Sequence, residues 1–391
     1  MLKKQISLMV FVVAILVVLA RPVYPQDQNT AAPGQQKAIQ AYEIESIDFL
    51  PPGDRIPREK FFGRVKRIEQ KPLGRDDLAF DMFIPDDWNE SPIFSDEGIS
   101  TLNKHFLSDL GRYYSPAFGD VRAFVSVQAM AMSYDLFAED WFRNQALINT
   151  YNVKATTSYS PDQFEALYIA LEGDTAFAIR ARVIMSGDSL FFVRFAVPVG
   201  LFNKIADYQA LSLRTFQLIN QQPSQIEKER RFAVLDAMSI YYPDSWSIKN
   251  PNFRDMSHLS VDLIRTSRDN LIYGEIKITA IAKNKKKPIK VPDEIQTFLA
   301  KLDRRDISID TLIERKDVSL PAGFYGKTVE IYKAKVPNDM LDQELWFSYF
   351  ESETHHFFFS LLTPSRDVSY EEWARNRAVY FMIMRRVERQ K

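Results

Sequence analysis

The chain has 391 residues, 46% apolar and 26% charged, which excludes wholesale disorder, collagen and coiled coil. Fifty Lys and Arg against 51 Asp and Glu leave a net charge of −1, so no whole-molecule field draws the protein to nucleic acid, although a local patch is still allowed. With no cysteine there are no disulfides, thiolate metal sites, iron–sulfur clusters or cysteine nucleophiles, and four histidines leave little room for metal or general-base chemistry.

Residues 1–20 read as a secretory signal peptide. Lys3 and Lys4 precede an almost unbroken apolar run from Ile6 to Leu19, and Val18-Leu19-Ala20 supplies the cleavage site. The run is shorter than the roughly 20 residues a membrane helix needs, and no lipid-accepting cysteine follows it. The alternative is an uncleaved N-terminal anchor. Export without cysteine fits a Gram-negative periplasm. Residues 21–75 are expected to be a tether and an N-terminal arm. Gln26 to Gln40 is polar, with a Pro-Gly turn. Arg58 to Arg67 mixes basic residues with Phe61 and Phe62, and reads either as a docking arm or as a strand or loop laid on the first domain.

An internal repeat organises the rest. Ile84-Pro85-Asp86-Asp87-Trp88 recurs as Tyr242-Pro243-Asp244-Ser245-Trp246, each after an apolar stretch. Phe191–Pro198 recurs as Phe357–Pro364, and a helix is expected after both. Phe202, Ile205, Ala206, Ala210, Leu213, Phe216 and Ile219 share their spacing with Tyr370, Trp373, Ala374, Ala378, Phe381, Met384 and Val387. In the first copy a helix is expected over about 96–110, a strand over 123–132 and a helix over about 134–151. Strands then follow over 164–171, 176–185 and 190–198. In the second copy strands are expected over 260–266 and 273–281, a helix from Pro292, and strands over 326–335, 344–351 and 356–364. Consecutive strands with helices laid on them make an α+β protein of two tandem domains, 76–220 and 232–391, each a mostly antiparallel sheet carrying helices. The polar linker 221–231, with Pro223, is where protease should cut first, leaving two halves that each bury a core.

The strand–Pro–x–x–Trp elements at 84–88 and 242–246, the run from Leu320 to Tyr332 and the final strand–Pro–helix resemble the PsbP-like fold. That family also holds a Ran-binding nuclear-transport factor and bacterial envelope lipoproteins and secretion chaperones. The resemblance implies protein binding and carries no catalytic residue set. It departs from simple members in its duplication, its missing lipobox and the expected extra helix.

Trp88 and Trp246 are expected to close cores. Two segments are candidates for partner binding. One is the basic connection with Lys283, Lys285, Lys286, Lys287 and Lys290. The other is the arm with Arg58, Phe61 and Phe62. His355-His356 has neighbouring side chains on opposite faces of a strand and no acid two residues after either, so a metal is not expected. Neither is a cofactor, since no phosphate loop or nucleophile elbow occurs. The reading is an exported, non-catalytic protein presenting two modules to an envelope or secretion complex, with protein partners, no nucleic acid and no membrane span after signal cleavage. The alternative is a periplasmic small-ligand carrier or enzyme using a pocket between sheet and helices.

Overall fold

The structure, a computed structural model, describes residues 47–92, 101–224, 226–235, 237–255, 257–267, 271–284, 286, 288–305, 307–326, 328–335 and 342–389. The expected signal peptide and the tether up to residue 46 lie outside them. In the first half the elements are α1 (Arg58–Phe62), β1 (Val65–Gln70), β2 (Phe80–Pro85), β3 (Asn89–Glu90), β4 (Ser108–Tyr114), β5 (Phe124–Ala131), α2 (Ala138–Ile148), β6 (Asn152–Ser160), β7 (Gln163–Glu172), β8 (Thr175–Ser186), β9 (Ser189–Pro198), α3 (Phe202–Thr215) and β10 (Gln217–Leu218). In the second they are β11 (Glu229–Val234), β12 (Met238–Pro243), β13 (Ser247–Asp255), β14 (His258–Thr266), β15 (Ile272–Ala282), α4 (Val291–Asp303), β16 (Ser308–Asp317), β17 (Thr328–Lys335), β18 (Gln343–Glu351), β19 (His355–Pro364), α5 (Tyr370–Arg385) and β20 (Glu388–Arg389). The protein is α+β.

Two seven-stranded sheets dominate, with orders β3-β4-β5-β9-β8-β7-β6 and β13-β14-β15-β19-β18-β17-β16. Their strands are antiparallel throughout. Both follow one plan: a helix separates the third strand from the fourth, and the last strand returns to the centre beside the third. Each half adds a small sheet, β1-β2-β10 or β11-β12-β20, in which a strand after the last helix joins an opening hairpin. Tight hairpins join β7 to β8 and β8 to β9, where Gly173 and Gly187 take left-handed backbone that a side chain would strain.

The two Pro–x–x–Trp elements form the same turn. The Trp88 N–H donates to the Pro85 carbonyl at 3.1 Å, and the Trp246 N–H donates to the Pro243 carbonyl at 3.0 Å. Both indoles are buried, as expected of core-closing residues, and Trp88 lies 4.8 Å from the Phe195 ring. In the first half, α3 and the β1–β2 hairpin cover one face of the sheet, burying Phe80, Ile84, Phe191, Val193 and Leu213. α2 covers the other face through Trp141 and Phe142, which meet Phe192 and Phe164. Residues 47–53 lie along α3: Ile47 and Leu50 pack on Phe202 and Ala206, and Gly53 abuts Ala210.

Three expectations need correction. No helix occupies the described part of 96–110: residues 101–107 form bends, and Leu110 belongs to β4. The helical spacing there comes from a loop that buries Leu102 and exposes Phe106, followed by a strand whose register slips between Asp109 and Gly111. α2 is shorter than expected at both ends: Phe137 is extended ahead of it, and Thr150 turns left-handed and throws Tyr151 off its end. Ile219 lies beyond α3, exposed. Strands β6, β13 and β16 also add to the expected plan.

The halves share a contact. α5 packs on α2, and one apolar cluster runs from Trp141 and Phe192 through Phe381 to Trp346. Arg377 pairs with the buried Asp140, and its guanidinium lies 4.9 Å from the Phe137 ring. Tyr134 donates to Glu371 at 2.5 Å, and Arg375 lies 3.8 Å above the Tyr134 ring. The connection between halves is also tied down: the Gln222 N–H donates to the Ser186 hydroxyl and the Ile226 N–H to the Asp135 carboxylate. No helix among the described residues is long and apolar enough to cross a membrane.

Candidate interaction site

The arm divides between core and surface. Phe61 is buried against Tyr208, 5.9 Å between ring centres, so it belongs to the fold, which corrects its candidacy as a contact residue. Phe62 is partly exposed, edge-on to Phe83, with the Arg58 guanidinium 5.6 Å from its ring. Of the arm candidates, Arg58 and Phe62 remain available to a partner.

The basic connection links β15 to α4. Lys283 is engaged: its amine pairs with Glu351 at 3.0 Å and its N–H donates to the Thr354 carbonyl. Lys286 is exposed, and Lys290, also exposed, accepts the first N–H bonds of α4 at its carbonyl. Lys285 and Lys287 lie outside the described residues. His356 accepts or donates one bond with the Tyr349 hydroxyl at 2.8 Å, and no cluster of metal-ligating side chains occurs among the described residues.

The structure adds a cleft that the sequence reading missed. It opens on the α2 side of the first sheet, where the helix stops short of the strand ends. Residues 149–152 form one wall, 169–172 at the end of β7 another, and Ile179 and Arg194 line it from β8 and β9. Arg112, Ser126 and Arg194 form one cross-strand row. Both guanidiniums lie against the Phe124 ring, at 5.7 and 5.9 Å. Tyr151 stacks on Tyr168 at 4.5 Å. Burial pushes the Tyr151 and Tyr168 hydroxyls upward, against the opposing pull of Arg194, so both remain protonated donors at neutral pH. Leu171 in the lining is 73% exposed, and Leu147 and Ile148, the two residues before the Asn149 wall, are 61% and 67% exposed. A charged residue alone in the apolar run Phe191–Val197 was the available signal for Arg194.

No protein-family model and no curated protein matches the chain. Among solved structures it is similar to cyanobacterial PsbP from Synechocystis sp. PCC 6803, at 13% identity over 40% of this chain and 92% of that one, with a TM-score of 0.29. It is also similar to the immunity protein TplEi of T6SS from Pseudomonas aeruginosa, at 9% identity over 80% of this chain and 94% of that one, TM-score 0.21. A third likeness is to the Tle4–Tli4 complex, at 10% identity over 79% of this chain and 94% of that chain, TM-score 0.20. At these scores the functional reading rests on the chain's own surface.

Proposed function

We propose that this is an exported, non-catalytic interaction protein, built of two duplicated PsbP-like modules and acting in a cell-envelope or secretion complex. The observation that carries the reading is an Arg- and Tyr-lined cleft with the exposed Leu171 in its lining and the exposed Leu147 and Ile148 immediately before its Asn149 wall. Scattered exposed apolar residues are ordinary. A group of them around a half-buried arginine and tyrosine has the composition of a binding hot spot. Capture from native envelopes with the tagged mature chain, followed by identification of what is bound, tests it. Leu147→Asp with Leu171→Asp should abolish recovery of the defined partner and leave melting unchanged. Recovery that survives this change but is lost when Lys283, Lys286 and Lys290 become Glu would move the docking site to the basic connection.

A further inference from the structure

We propose that the cleft beside Arg194 receives a carboxylate, and that in the docked complex this is the C-terminal carboxylate of an apolar segment of the partner. The inference rests on the reading of the rim as the docking surface.

Three features converge on it. First, directly behind the cleft's Tyr151 lies the Tyr168 hydroxyl, fully buried and without a hydrogen bond of ordinary geometry. A buried donor left unpaired is costly, so an acceptor reaching it through the cleft is favoured. Second, the arginines are weakly held. Arg194 reaches Ser126 at 3.3 Å and Glu172 at 3.4 Å, and Arg112 reaches Asp109 at 3.3 Å. Charge-assisted bonds run shorter, at about 2.7–2.9 Å. The Glu172 side chain is 43% exposed, free to swing into solvent and yield its place. Third, the lining supplies donors: the Arg194 guanidinium, the Tyr151 hydroxyl and the Asn152 side-chain amide. A carboxylate accepts only and carries the matching charge. The apolar rim around it suits the side chains that precede a chain terminus, and a segment entering end-on is the occupant that presents both chemistries together.

The test is calorimetric titration of the full mature chain with N-acetyl-Ala-Leu-Phe as the free acid, its C-terminal amide, and octanoate. The acid should bind, and the amide should bind about tenfold or more weakly. Arg194→Gln should weaken the acid to a similar degree. Tyr168→Phe should also weaken it, while leaving the melting temperature of the unliganded protein unchanged or higher, since it removes an unpaired hydroxyl. That variant keeps the test sound even if Arg194→Gln disturbs the sheet. Equal binding of acid and amide, indifference to both substitutions, or no binding at millimolar concentration would overturn the proposal. Octanoate binding as tightly as the peptide would overturn the peptide source and favour a small-ligand carrier. Loss of partner capture in the rim variant without acid binding would leave the docking surface standing and sink the carboxylate.

Discussion

Glu344 is an acid held charged inside the second half. Burial pushes its pKa up, but that is outweighed by bonds from Arg366 at 2.9 Å, the Trp346 indole at 3.0 Å and the Trp373 indole at 2.7 Å, and the net effect is a pKa below the ordinary 4.5. A carboxylate with a depressed folded pKa adds stability that is present above its unfolded pKa and lost as pH falls through the folded one. Melting temperature should therefore fall as acid is added below about pH 4.5, and Glu344→Gln should flatten that limb. A variant with the same acid slope as the parent would show that another carboxylate sets it. Residue-level legibility was uneven. Trp88 and Trp246 announced themselves because proline and two turn residues place them identically. Arg194 and Tyr168 did not, because their roles come from cross-strand neighbours far away in sequence.

At the scale of elements, strand β15 meets helix α5 at Gly274. A Cβ there would sit 2.6 Å from the Asn376 side chain, which is not free to move. Asn376 is buried, donating to the Tyr273 carbonyl at 2.6 Å and the Thr363 hydroxyl at 2.9 Å, and accepting from Arg265 at 3.0 Å. Gly274→Ala should cost about 1–3 kcal/mol by denaturant unfolding, the usual range for overpacking. Trp246→Ala should cost more, about 3–5 kcal/mol, because it empties the end of a core. An inverted order would mean that the network at Asn376, not the indole, holds this half. The inner strands were legible because both faces are apolar. β6 and β16 escaped because edge strands are largely solvated, and sequences such as Asn152–Ser160 carry no alternating apolar face.

At the scale of the whole molecule, the connection between the halves read as a polar linker, whereas the face it joins is apolar and charge-matched. The first half was expected to bury its own core; the partly buried Phe137, at the start of α2, packs instead against Arg377 and Arg385 of α5. Periodicity shows that a face is apolar but not what covers it, and that is why the contact was not legible. Removing one partner of a buried pair leaves the other uncompensated, so Arg377→Ala should be strongly destabilising, by about 3 kcal/mol or more. With the interface intact, a chain nicked at residue 225 should still elute as one species in native buffer and melt in one transition. Two peaks, or two transitions, would show halves that stand alone.

The halves meet through unlike surfaces: α2 of the first against α5 of the second. The halves follow one strand plan, and between units of one plan such a contact is head-to-tail, the kind that propagates unless something stops it. On α5 the surface includes Tyr370, Glu371 and Arg375, which hydrogen-bond to or stack on Asp140 and Tyr134. By the shared helical spacing read from the sequence, the matching positions on α3 are Phe202, Asn203 and Asp207. Ile47 and Leu50 lie on Phe202, and Gly53 approaches the Asp207 carbonyl. Residues 47–53 thus cover this face of α3, the position an end repeat's cap takes in solenoids. Removing residues 47–56 should uncover a surface of the kind that bonds the halves, and the truncated protein should self-associate with rising concentration in sedimentation velocity. If it stays monomeric, the arm merely decorates α3.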